Sequence, residues 1–188
     1  MIYANHAATS WPKPSEVIEA VSRSLAAAPI ESERAGVANA SDSRRRCRKV
    51  LSALFHAPDP SAVILTAGAT AGLNLVIDGL LGDGGHVVTT VTEHNSVVRP
   101  LHRLSRERGV RVTAVRCDRD GWVNPADVTG AIETNTKAVI INHASNVTGR
   151  VIDPAPTGRA CRSVGASLVV DAAQSAGHIP IDVQAMGI

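Results

Sequence analysis

Aromatic side chains are almost missing from this 188-residue chain: two Trp, one Tyr and one Phe, 2% of the whole. A core must therefore be built from Val, Ile, Leu and Ala, and a hydrophobic content of 44% is enough for one sizeable core at this length. Cysteine is scarce too. Cys47, Cys117 and Cys161 stand far apart with no Cys-x-x-Cys pair, which argues against a metal site and against a disulfide framework. Charge of one sign is also lacking. The net charge of +2 is too small to argue for a nucleic-acid partner. The densest basic run, Arg44-Arg45-Arg46 with Arg48-Lys49, falls on an expected helix and reads as a solvated face. No apolar run has transmembrane length, and the first residues lack the basic start and apolar stretch of a signal peptide. The expectation is a cytoplasmic protein with no membrane partner. No internal repeat and no Gly-x-Gly-x-x-Gly fingerprint is present.

What is there is an alternation of strand and helix patterns. Ala62–Thr66, His86–Val91, Val110–Arg116, Lys137–Asn142 and Ser167–Val170 read as strands. Between them, Leu73, Val76, Ile77 and Leu80 recur at helical spacing, as do Val97, Leu101 and Leu104, with Pro100 expected in the first turn. Asn124-Pro125 looks like an N-cap followed by proline, opening a helix to about Glu133; another helix runs from about Ala155 to Val164 and ends at Gly165. Towards the N-terminus, Ser15 is placed to cap a helix carrying Val17, Ile18, Val21 and Leu25. A further helix is expected over about Asp42–His56, and Ala28–Ala40 reads as a loop. Apolar strands separated by helices predict an α/β fold: a mostly parallel sheet covered by helices on both faces.

In such a sheet ligands bind beyond the carboxyl ends of the strands. Four polar segments fall there: Thr66–Thr70, Glu93–Ser96, Asn142–Gly149 and Asp171–Gln174. The first joins a strand to a helix start, where free N–H groups and the helix dipole suit a phosphate, though an ordinary turn has the same pattern. Asp171 can pair with a protonated ring nitrogen or simply cap a helix. His94 can stack on a ring or move a proton, and equally can just be hydrogen-bonded. Asn146 can reach a ring oxygen or a carboxylate, or shape a turn.

Read together, Tyr3–Ser10, Leu65–Thr70, Glu93–Pro100, His143–Gly149 and Asp171–Gly177 resemble, in order, the class V aminotransferase and cysteine desulfurase family, with Glu93–Pro100 most similar to the desulfurase branch. The resemblance implies pyridoxal phosphate (PLP) as cofactor and part of the fold type I large domain. It implies that Ala69 and Thr70 hold the phosphate, that His94 stacks on the ring as the catalytic histidine, and that Asn146, Asp171 and Gln174 meet the ring oxygen, the ring nitrogen and the ring hydroxyl. Asn5, Ala7 and Asn146 would face the amino-acid substrate, possibly cysteine.

The same resemblance sets limits. Family members carry PLP on a lysine in a Ser-x-His-Lys segment, whereas Lys13, Lys49 and Lys137 all lie in other contexts, and no cysteine here occupies the desulfurase nucleophile's place. Glu33–Ser41 keeps little of the family's Gly-Arg-rich stretch. The expected organisation is an N-terminal arm over 1–14 and an incomplete large domain over 15–188, with the rest of that domain and the small domain absent. A complementary C-terminal half or a homodimer partner is expected, and the chain alone should be inactive and poorly stable, since Ala62–Thr66 loses its neighbours. Two alternatives stay open: a truncated, non-catalytic chain that binds PLP or acts by association, and an unrelated nucleotide-binding α/β domain.

Overall fold

The computed structural model describes residues 2–27 and 43–188, in two compact units divided between Arg46 and Cys47. The loop expected over 28–40, the Glu33–Ser41 stretch and the start of the second helix at Asp42 lie outside the described residues.

In the first unit a turn at 6–8 is closed by Ala8 N–H donating to the Asn5 carbonyl at 3.1 Å, and the Tyr3 hydroxyl donates to the Asn5 and Thr9 carbonyls. Helix α1 spans Ser15–Ala26. Its N-cap is Pro14 rather than Ser15, because the extended Pro14 backbone (ψ 143°) already breaks the helix there. The Ser15 hydroxyl instead meets the Glu16 carboxylate at 3.2 Å. The apolar stripe of Val17, Ile18, Val21 and Leu25 is exposed.

The second unit is built on four parallel strands, β1 (His86–Thr90), β2 (Arg111–Val115), β3 (Thr136–Asn142) and β4 (Ser167–Asp171), in the order β2-β1-β3-β4. Every β1 residue is buried, as are all but one of β3, because helices cover both faces. Helices α3 (Ala69–Leu81) and α4 (Asn95–Arg108) pack Leu73, Ile77, Val97, Leu101 and Leu104 against Val87, Ala138 and Ile140. On the opposite face Val88, Val139 and Ile141 meet Val128 of α5 (Pro125–Gly130) and Cys161 of α6 (Ala155–Val164). Asn124 caps α5 as expected, its carbonyl accepting from Ala126 N–H at 3.0 Å, but the helix stops at Gly130.

Two expectations are corrected. Pro100 falls in the second turn of α4, since the helix opens at Asn95; the proline is tolerated there at the loss of one intrahelical hydrogen bond. Ala62–Thr66 is not a strand. Pro60–Ala62 forms a short 3-10 turn capped by Asp59, and residues 63–66 pair with no strand among the described residues, leaving Ile64 64% exposed. An apolar run becomes a strand only when a neighbour takes its backbone groups. Helix α2 (Ser43–Leu54) is followed by contacts to a four-residue helix α7 (Val183–Met186), which is too short for apolar periodicity to reveal. Phe55 carbonyl accepts from Val183 N–H at 3.0 Å, and His56 meets Asp182 at 2.8 Å. Gly158 is obligatory beneath α7, because a Cβ there would stand 1.9 Å from the Met186 carbonyl oxygen.

The amino ends of the strands carry a buried tie. His86 joins three strands, Nδ1 to the Thr136 hydroxyl at 2.8 Å and Nε2 to the Thr113 hydroxyl at 2.9 Å. Burial, reinforced by Arg111 and opposed by Glu133, holds its pKa below the ordinary 6.5. The unfolded chain therefore binds this proton more readily, so the His86 contribution to stability is full above about pH 6.5 and is lost as pH falls through the folded value. Urea midpoints measured from about pH 8 to 5 should fall on acidification by more in the parent chain than in His86→Asn. Equal falls would contradict the tie.

Candidate functional site

Because the strands are parallel, the carboxyl ends of β1, β3 and β4 share one edge of the sheet, and the polar segments after them meet there. Asp171 ends β4 and stands in register with Asn142, the last residue of β3; the next backbone bond, His143 N–H to the Asp171 carbonyl, is 2.9 Å. The Asp171 side chain is only 8% exposed, and its Oδ1 accepts from Ala173 N–H at 2.9 Å. No helix follows, so Asp171 is not a helix cap; 172–175 is a turn closed by Ser175 N–H on the Ala172 carbonyl at 3.0 Å. Gln174 lies half-buried in that turn.

Residues 143–149 fold over as a tight loop. The buried Ser145 hydroxyl accepts from the N–H groups of Val147 and Thr148, both at 3.2 Å, leaving Asn146 exposed at the tip. This loop is pinned to the Asp171 turn by His143, whose Nδ1 lies 2.9 Å from the Ser175 hydroxyl. Burial lowers the His143 pKa against the opposing pull of Asp153, so this link is between neutral partners.

Helix α3 opens at Ala69 behind Gly68, whose φ of 146° only glycine adopts readily and beside which a Cβ would meet nothing within 4 Å. No side chain caps this helix. Thr70, in its first turn, lines a cleft of about 390 Å³ together with Asn74, His94 and Arg99. His94 is the N-cap of α4: its Nδ1 accepts from Ser96 N–H at 3.1 Å and lies 2.8 Å from the Ser96 hydroxyl, so the neutral ring carries its proton on Nε2.

The structure therefore joins Thr70 with His94 in one cleft and seats Asp171 between the Asn142 pairing and the Gln174 turn. Asn146 stands apart at its loop tip, and Asn5 and Ala7 belong to the other unit. The residue that sequence reasoning left without a role is Glu93. Its Oε1 accepts from the Thr90 hydroxyl at 2.6 Å and from Asn142 N–H at 3.0 Å, while its buried Oε2 has no partner among the described residues. An acidic residue just beyond a buried strand, preceded by Thr89, Thr90 and Thr92, was the available signal. Among the described residues no cluster of His, Cys, Asp and Glu could hold a metal ion, and no helix is long and apolar enough to cross a membrane.

A four-stranded parallel sheet with helices on both faces defines an α/β domain. The chain belongs to the aminotransferase class-V family, whose profile matches residues 2–188. It is 40% identical over 130 residues to the cysteine desulfurase IscS of Anaeromyxobacter sp. strain K, which is 67% of this chain and 32% of that protein. Among solved structures, the apo cysteine desulfurase from Thermococcus onnurineus NA1 superposes with a TM-score of 0.87 at 30% identity, covering 99% of this chain and 47% of that one. SspA in complex with cysteine gives 0.85 at 29% identity, over 100% of this chain and 55% of that one. The chain spans between about a third and about half the length of the curated relatives it matches. An unrelated nucleotide-binding domain is thereby set aside.

Proposed function

We propose that residues 1–188 are the cofactor-cradling N-terminal part of a PLP-dependent cysteine desulfurase, which takes sulfur from cysteine and draws its cofactor-carrying lysine and nucleophilic cysteine from polypeptide outside these residues. The observation that carries this reading is Asp171, a buried carboxylate fixed at the carboxyl edge of the sheet beside Asn142. The donor set fits PLP at both ends: uncapped N–H groups at α3 suit the phosphate, and a carboxylate suits the ring nitrogen. The cleft is within the range of small-molecule sites, roughly 300–1,000 Å³.

When bound, PLP supplies an electron sink in its protonated pyridine ring. The chain's residues do the positioning. Asp171 holds a proton at the ring nitrogen, Ala69 and Thr70 anchor the phosphate, and His94, fixed by Ser96, stacks and presents its Nε2 proton. Gln174 faces the ring hydroxyl and Asn146 the substrate carboxylate; Asn5 and Ala7 keep a substrate role on resemblance alone. A second reading, a chain that binds PLP or a partner without catalysis, is favoured by the lysines. Lys137 is the second residue of β3, at the opposite end of the strand, Lys49 is exposed on α2, and Lys13 bonds Thr9 at 2.8 Å.

Equilibrium dialysis tests the cradle itself. PLP should bind at least about tenfold more tightly than pyridoxal, which lacks the phosphate, because charge-assisted bonds at the α3 start would be lost. Equal affinities would remove the helix start from the site.

A further inference from the structure

Glu93 sits where a carboxylate has little reason to be. The last β1–β3 pair is Thr89 with Ile140, so the Asn142 N–H lies beyond the strand that could have received it. The Glu93 side chain supplies the missing acceptor at 3.0 Å, and the same oxygen takes the Thr90 hydroxyl at 2.6 Å. Around it the knot closes: the Asn142 side-chain Nδ2 donates to the Thr92 carbonyl at 2.6 Å, and Thr92 and Thr90 hydroxyls lie 2.8 Å apart. Asn142 in turn is the in-register neighbour of Asp171.

We infer that Glu93 is a positioning residue: its carboxyl group locks the ends of β1 and β3 together and so fixes Asn142, and through it Asp171, for the ligand at this edge. The inference rests on the reading of Asp171 given above. With Oε1 committed to two donors, the proton belongs on Oε2, which is buried and has no donor to stabilise a charge. Burial is the main cause that pushes this carboxyl up to about 7; the Thr90 and Asn142 bonds oppose it, and the charge of Asp171 reinforces it. From β1 and β3 only neutral Thr90 and Asn142 bond the group, so Asp171 on β4 is the one charged neighbour acting on it among the described residues. The sign for stability is opposite to that of His86. The folded chain holds this proton more tightly than the unfolded one, so the contribution is full below about pH 4.5 and is lost as pH rises through about 7.

The test uses the full chain with PLP as probe, in four forms: parent, Glu93→Gln, Glu93→Ala and Asp171→Ala. Glutamine keeps the acceptor without titrating; alanine removes it. PLP affinity should drop roughly tenfold or more in Glu93→Ala and stay within about threefold of the parent in Glu93→Gln. Without PLP, the Asn142 amide should be protected from hydrogen exchange in parent and Glu93→Gln and exposed in Glu93→Ala. In carbon-13 spectra the Glu93 carboxyl should titrate near neutral pH. Parent-like PLP binding by Glu93→Ala, equal losses in both Glu93 variants, or a carboxyl titrating with ordinary glutamates overturns the inference. Parent-like binding by Asp171→Ala instead sinks the reading of Asp171 and this inference with it, whereas a loss there with none in Glu93→Ala removes Glu93 alone.

Discussion

Asp171→Ala should weaken PLP binding by roughly thirty-fold to several thousand-fold, since truncating one partner of a buried hydrogen-bonded charge pair costs about 2–5 kcal/mol. Asp171→Asn is the sharper variant. Its amide oxygen can still accept from Ala173 N–H, the bond that Oδ1 makes at 2.9 Å, so the turn is kept while the charge is lost. Urea midpoints near the parent's, with a PLP affinity close to that of Asp171→Ala, would assign the loss to charge at the ring nitrogen. Parent-like binding by Asp171→Asn would reduce Asp171 to a turn residue.

The second large effect concerns the open side of the sheet. Strand β4 is an edge, and beside it lies an apolar cleft of about 570 Å³ formed by Leu75, Val76 and Leu80 of α3 with Leu168 and Val169. Leu75 is 61% exposed and Ile64 nearby in sequence 64%. Under the proposed function, the complementary polypeptide covers this surface. Leu75→Asp should then weaken its association with the chain by more than about a hundredfold, because an unpaired carboxylate would be buried at a cost of about 3–5 kcal/mol. The chain's own unfolding midpoint should scarcely change, since Leu75 is already in water. Surface plasmon resonance and urea titration check the two halves of this statement. Unchanged association would place the docking surface elsewhere.

Much of the second unit was legible in the sequence because its two central strands, β1 and β3, are buried on both faces. Continuous apolar runs such as Val87-Val88 and Ala138–Ile141 announce themselves, and the helices between them keep a 3.6 period. What periodicity cannot see is whether a run finds a neighbour. Ala62–Thr66 has the same composition as a strand and no pairing, so the pattern misled. Proline statistics misplaced Pro100 because burial against the α3–α4 core tolerates one missing hydrogen bond. Helix α7 depends on the Asp182 cap and the close approach at Gly158, neither of which is periodic. At the candidate site, residues at helix starts and at a strand end were visible by position: Thr70, His94 and Asp171. The supports were not. Glu93 and His143 act through partners 49 and 32 residues away, contacts that only the fold creates.

The most direct test is an absorbance spectrum in the near-ultraviolet and visible after adding PLP, recorded for the chain alone and for the chain with a polypeptide carrying the family's Ser-x-His-Lys segment. The proposed function predicts a band of protein-bound PLP that reaches full strength only in the mixture and is lost with Asp171→Ala. No such band, in a mixture whose two polypeptides are shown to associate, would contradict it and leave a non-catalytic association chain.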